Sequence, residues 1–261
     1  MLEISPMARV AGDAVASGMG LPEAVERALA SFSEAAQQAF GADLQSIVLF
    51  GSGAEQNLRA TSDVNLLLVL KRFDPAEADR LREPLRFAHA AIELNAMFML
   101  EAEVPLAMEA FAVKFSDIQH RHRVLHGSDP FANVSVPDAA LLRRLKQVLL
   151  NQQIRLRERY ILLSLREEQL GRVIADAAPP LRASAASILQ LEGNPAPSPK
   201  KALERVIGEF NDPALSEVLG AMTKVRGGER LEPGKSAAML LELMRLTEKL
   251  RERAARLESR A

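Results

Sequence analysis

The chain contains no cysteine and no tryptophan, and Tyr160 is the only tyrosine among its 261 residues. Without cysteine there are no disulfides and no thiolate metal sites, a composition that fits a reducing compartment. Without tryptophan, and with one tyrosine, the aromatic platforms on which single-stranded nucleic acids stack are poorly represented, so a nucleic-acid partner stays an open question. No apolar run approaches membrane-spanning length, and Met1-Leu2-Glu3-Ile4-Ser5-Pro6 has an early acid rather than a basic-then-apolar signal pattern. A cytoplasmic protein with no membrane partner is therefore expected. Internal repeats and low-complexity tracts are missing as well.

What is present is ordinary in bulk and uneven in detail. A hydrophobic content of 48% and a charged content of 26% are those of a globular protein with enough apolar material for a full core. The length allows one large or two small domains. The net charge of -1 hides two halves of opposite sign: residues 1 to 136 hold 11 Lys and Arg against 18 Asp and Glu, whereas 137 to 261 hold 22 against 16. We read this as two modules, 1–136 and 137–261. Their charges serve as solvated or mutually docking faces, or the basic module offers an edge to nucleotide phosphate or another polyanion.

The first module is organised around Ser46-Ile47-Val48-Leu49-Phe50-Gly51-Ser52 and Ser62-Asp63-Val64-Asn65-Leu66-Leu67-Leu68-Val69-Leu70. Two apolar runs of strand length flank a polar segment, which predicts strand, tight turn, short helix, strand. Gly51 and Gly53 let the backbone turn sharply and approach a ligand, and Ser52 adds a hydroxyl. A helix beginning near Ala54 would point its free N–H groups at the turn, a favourable place for the phosphates of a nucleoside triphosphate.

These residues resemble the signature of the nucleotidyltransferase superfamily, which contains DNA polymerase beta and the small kanamycin-type nucleotidyltransferases. That signature is a hydrophobic strand ending in Gly-Ser or Gly-Gly, about a dozen residues, and two carboxylates one residue apart on the next strand. Gly51-Ser52 and Asp63 match it, while Asn65 stands where the second carboxylate belongs. The resemblance implies an α+β fold, a mixed sheet with flanking helices followed by an antiparallel helical bundle. It also implies nucleotide contacts from Gly51, Ser52 and Gly53, and a site in which Asp63, weakly helped by Asn65, holds Mg2+ or Mn2+ if the protein is active. In the intact family, anionic oxygens hold two divalent ions about 4 Å apart. Asn65 lacks one unit charge, worth about 4 kcal/mol at 4 Å and an effective dielectric near 20, or roughly a thousandfold in rate.

Ala96-Met97-Phe98-Met99-Leu100 reads as the third strand, with Met97 and Met99 on one face. The resemblance places the third carboxylate on this strand, and none of these five residues is acidic. Glu93, Glu101 and Asp117 are the acids nearby, Glu101 reading more naturally as part of an acidic helix start. None of the three is expected to share a metal with Asp63.

Around these strands, residues 3–17 read as a helix interrupted at Gly18-Met19-Gly20. A second helix runs from Leu21-Pro22-Glu23 to Gly41 with Val25, Leu29, Phe32, Ala36 and Phe40 as its core stripe. Asp74-Pro75 opens another helix, which Pro84 is expected to disturb. Phe111 to Ile118 reads as a strand or extended connection. It leads to His120, His122 and His126, which on a continuous strand would share a face, a metal-site pattern set against that of a plain polar edge strand ending in the Gly127 to Pro130 turn. Val124 to Pro130 also resembles, loosely, the end of the family's catalytic domain.

Beyond Val136-Pro137-Asp138 the pattern is helical. Leu142, Leu149, Leu156, Leu163 and Leu170 recur every seven residues, but Gln152, Arg159 and Glu167 break the second apolar line, so one long bundle helix ending near Gly171 is expected rather than a coiled coil. Pro179-Pro180 reads as the start of a helix to Glu192. Further helices are expected from Pro199, Pro213 and Ser236, the last to about Leu257.

Three functions fit. The first is a nucleotidyltransferase-like protein with an impaired two-metal site, weak nucleotide binding and a regulatory or partner-binding role. The second is an active nucleotidyltransferase moving a nucleoside monophosphate from a triphosphate to a hydroxyl of a small molecule, protein or RNA. The third is a structural interaction protein without nucleotide.

Overall fold

The computed structural model describes residues 20–55 and 63–258, which group into two compact units. The helix expected over 3–17 and the short helix expected after Ala54 fall outside, or mostly outside, those residues.

The first unit is built on a four-stranded mixed sheet, in order β3-β2-β1-β4. Its strands are β1 (Leu44–Phe50), β2 (Val64–Leu70), β3 (Leu94–Leu100) and β4 (His122–Gly127). β1 is antiparallel to β2 and β4, and β2 is parallel to β3. Alternation of side chains along the strands gives the sheet two faces. Ile47, Leu49, Val64, Leu66, Leu68 and Leu70 form one face and pack with α1 (Glu23–Phe40) and α2 (Pro75–Ile92) into one core cluster. Each fully buried Leu, Ile or Phe in it contributes about 1.5–3 kcal/mol. The other face carries Val48, Leu67 and Val69, also buried, and at its edge Phe50 and Asn65.

The helices start and stop where local chemistry directs. Pro22 and Glu23 open α1, and Gly41, at φ 49°, ends it. Asp74 caps α2, its carboxylate accepting from the amides of Ala76 and Glu77. Pro84 lies inside α2 without ending it. Glu93, in left-handed backbone at φ 50°, closes the helix and begins the next strand at once. The third strand therefore starts at Leu94, two residues earlier than the apolar pattern suggests.

Two expectations for the following segment are corrected. Phe111 to Ile118 is not extended: a turn at Phe111 joins α3 (Val104–Ala110) to α4 (Ala112–His120), which holds the rest of the segment, and the buried residues Ala112, Phe115 and Ser116 follow helical spacing. The three histidines do not share a strand face. His120 ends α4, and the β1–β4 ladder shifts register between Ile47 and Val48, so that His122 stands opposite Phe50 and His126 opposite Ile47. That bulge turns His122 and His126 to opposite faces.

The second unit comprises residues 107–117 and the helices from Val136 onward, so the segment 107–117 groups with the helices rather than with the sheet. They are α5 (Asp138–Leu163), α6 (Glu167–Leu191), α7 (Pro199–Phe210), α8 (Pro213–Arg226) and α9 (Lys235–Glu258). The long helix breaks at Ser164 to Arg166, before Leu170. Pro179 and Pro180 lie within α6, whose buried line Leu170, Ile174, Ala178, Leu181, Ala185 and Ile188 continues straight through them. α5 runs antiparallel to α9, its Lys146 meeting Glu258 at 2.6 Å. α6 runs alongside α9 in the same direction: the Ser236 amide donates to Glu167, and Arg253 grips Glu192 with two bonds of 2.8 and 2.6 Å. Leu149, Leu156, Leu163 and Leu170 of the seven-residue pattern are buried inside this bundle, as is Leu145 beside them, while Leu142 is half-buried. No helix among the described residues is long and apolar enough to cross a membrane.

Candidate nucleotide site

The Gly-Ser turn closes at the end of β1. Gly51 has φ +75°, a conformation open to glycine and strained for other residues, and Gly51 to Gly53 form one tight turn in which the Ala54 amide donates to the Gly51 carbonyl at 3.1 Å. Gly53 is buried, and a Cβ there would sit 3.2 Å from Leu49 Cδ1. The Gly51 N–H is already engaged, donating to the Arg121 carbonyl at 3.0 Å. The Arg121 guanidinium in turn bonds Glu55 at 2.9 Å, with only 19% and 24% of the two side chains exposed. Arg121 and Glu55 therefore brace the turn from β4's side, a role that a reading confined to the motif misses. The Ser52 hydroxyl is half-buried and makes no hydrogen bond to a described residue.

The acidic part of the motif lies at the neighbouring strand end. Asp63 precedes β2 and is exposed, and Asn65, half-buried, pairs with Phe50 across the β1–β2 ladder. The parallel register then puts Asn95 beside Asn65. Neighbours in such a register project to the same face. Each carboxamide donates back to the carbonyl two residues earlier, Asn65 to Asp63 at 3.4 Å and Asn95 to Glu93 at 3.3 Å. The position on the third strand that stands level with the missing second carboxylate is thus also an amide. Asn95 escaped notice because the strand begins before the apolar run, and the left-handed Glu93 was the signal that marked its start.

Of the three nearby acids, the register brings one to Asp63. Glu93 immediately precedes Leu94, the partner of Val64, so Glu93 and Asp63 occupy the same end of the paired strands, both exposed. Glu101 follows Leu100, the partner of Leu70, and so lies about 25 Å away at the other end. Its short turn is capped by Glu103, which accepts the Leu100 amide at 2.8 Å. Asp117 belongs to α4 and groups with the helical unit.

Two adjacent dications need several anionic oxygens around them. Here the two strand positions that could flank Asp63 are neutral, and among the described residues no three His, Asp or Glu side chains come together as a metal group. At this strand end the register gathers two carboxylates, Asp63 and Glu93, with two amides, Asn65 and Asn95. His122 stands 3.3 Å from Asp129 and edge-on to Phe131, contacts that account for it without a metal.

A scan against protein-family models gives no match, and no curated protein sequence matches the chain. Among solved structures, a spectinomycin adenyltransferase, AAD(9) from Enterococcus faecialis, crystallised with ATP and spectinomycin, aligns with a TM-score of 0.57. The alignment covers 88% of this chain and 98% of that one at 14% sequence identity. The chain shares the fold of that adenyltransferase. At that identity the likeness concerns the fold, an α+β arrangement with a mixed four-stranded sheet and helices around it. Within this fold Gly51-Ser52 follows β1 directly, and Asp63 immediately precedes β2, which carries Asn65.

Proposed function

We propose that the protein is a nucleotidyltransferase-like module with an impaired two-metal site, which keeps a weak nucleoside triphosphate site at Gly51, Ser52 and Gly53 and serves a regulatory or partner-binding role in the cytoplasm. The observation that carries this is the pairing of Asn65 with Asn95 on adjacent parallel strands. Two neutral amides stand level with each other next to Asp63 and Glu93, where a fully acidic site would carry further carboxylates, and this supports a weakened hold on two divalent ions. The open hydroxyl of Ser52 and the braced turn support retention of a phosphate contact. That the AAD(9) structure contains ATP supports the choice of nucleotide.

Calorimetric titration with ATP and GTP tests this. Wild-type protein is expected to bind weakly, Ser52→Ala more weakly still, and magnesium to change either little. Absent binding, or equal binding by both proteins, would favour a structural interaction protein with no nucleotide.

Glu93 favours a second reading. Its position beside Asp63 offers another carboxylate from outside the motif, as an active nucleotidyltransferase using Mg2+ or Mn2+ would need. In that case labelled nucleoside monophosphate should pass to a hydroxyl of a small molecule, protein or RNA, and both Asp63→Ala and Glu93→Gln should abolish the transfer.

A further inference from the structure

The heptad leucines of α5 turn inward, yet the opposite side of the same helix carries a second apolar line. Leu150 is 44% exposed, Ile154 52% and Ile161 81%, with Leu162 at 60% and Leu165, just past the helix end, at 97%. At 100° per residue, Leu150, Ile154 and Ile161 fall within a strip about 40° wide that runs roughly 16 Å along the helix. Together these side chains expose apolar area on the order of a few hundred Å2 on one side of the helix, comparable to the largest patch of a typical monomer, which is often functional.

One turn in the middle of the strip is charged. Arg157 and Glu158 lie about 50° to either side of its centre line. Both are exposed, and neither takes part in an ion pair among the described residues. Arg155 and Arg159 of the same helix also make no ion pair among the described residues, but at 100° per residue they lie more than about 100° from the strip's centre line, whereas Arg157 and Glu158 flank it.

We infer that this face of α5 binds a second copy of the chain, with the two α5 helices side by side and parallel about a twofold axis that runs along them. The charge pattern selects both the occupant and the direction. A twofold axis along the helices carries a side chain left of the seam to the right of the seam on the partner. Arg157 of each copy therefore meets Glu158 of the other, and both pairs form at once. Ile154 meets Ile154, Ile161 meets Ile161, and the apolar ends close on themselves, as an isologous interface requires. In an antiparallel pair the axis is perpendicular to the helices and keeps left with left. Arg157 would then face Arg157 and Glu158 face Glu158, which is repulsive. The interface begins at Leu150, a helical distance of about 10 Å beyond Arg143, so Arg143, which pairs with Glu109, stays outside it in each copy.

The full chain has no cysteine, which makes single-cysteine reporters clean. Sedimentation of the wild-type protein over a range of concentrations is expected to show a monomer–dimer equilibrium. Ile161→Glu, at a site open enough to leave folding intact by circular dichroism, should weaken dimerisation at least about tenfold. Arg157→Glu should weaken it, and adding Glu158→Arg should restore it. Under mild oxidation Ile154→Cys and Ile161→Cys should each crosslink to its own copy, because only a parallel pair brings both positions onto themselves. A monomer at every concentration overturns the proposal. So does a dimer indifferent to Ile161→Glu, as would be one built elsewhere, and a dimer in which only one cysteine position, or neither, crosslinks overturns the parallel arrangement.

Discussion

Restoring the two missing charges together should create a divalent-ion site at a cost in stability that the ion then removes. Asn65 and Asn95 stand in register on parallel strands, which lie about 4.8 Å apart. Asn65→Asp with Asn95→Asp puts two carboxylates at that spacing beside Asp63. At partly exposed positions, where the effective dielectric lies between about 20 and 80, each such pair repels by about 1–3 kcal/mol. The metal-free double variant should therefore unfold at lower urea than the wild type, by about 2 kcal/mol. Each new charge is worth up to about 8 kcal/mol to a divalent ion 4 Å away at an effective dielectric near 20, and a quarter of that surviving competition with water corresponds to roughly thirtyfold in affinity per charge. Urea unfolding with and without manganese measures both effects. The expected result is a double variant less stable than the wild type without metal and recovered by micromolar to millimolar manganese, while the wild type responds little. Asn65→Asp alone should gain manganese affinity without gaining turnover. A double variant as stable as the wild type and indifferent to manganese would refute the reasoning, because the two amides would then not share a site.

Two further predictions concern the frame that holds the site and the bundle. Gly127 ends β4 at φ +75°, and an added Cβ would lie 1.8 Å from the Gln45 carbonyl oxygen, so Gly127→Ala should cost at least about 3 kcal/mol by urea unfolding. Gly193→Ala, at φ +72° but facing open space, should cost only the conformational strain of about 1–2 kcal/mol. In the bundle, burial alone would raise the Glu209 carboxyl, but hydrogen bonds from Arg253 and Arg205 outweigh it and hold the group below its ordinary range. A depressed folded pKa means that this stabilisation is present above the unfolded value near 4.3 and is lost as pH falls through the lower folded value. Urea midpoints between about pH 6 and pH 3 should therefore fall less steeply in Glu209→Gln than in the wild type.

Much of the frame was written in local chemistry. Pro22 with Glu23, Asp74 with Pro75, Ser198 with Pro199 and Asp212 with Pro213 are helix starts whose caps and fixed φ angles act over a few residues, and each opens a helix. Gly51-Ser52 and Asp63-x-Asn65 were equally plain, because strand, turn and strand follow one another in sequence. The misreadings arose where distant packing decided. Pro179-Pro180 looks like a helix start, yet the buried line from Leu170 to Ile188 carries α6 across it. The bulge that separates His122 from His126 exists only in the pairing with β1. Asn95 became visible only when β3 was laid beside β2, since the residue opposite Asn65 is set by the register of a parallel pair and by no local pattern.

The central claim is that the site lacks the charge to hold two divalent ions. Counting manganese ions bound per chain by electron paramagnetic resonance, in the presence of a non-hydrolysable ATP analogue, tests it most directly. At most one ion per nucleotide, carried by the phosphates and unaffected by Asp63→Ala, is the predicted result. Two ions per nucleotide in the wild type, with one or both lost in Asp63→Ala, would contradict it.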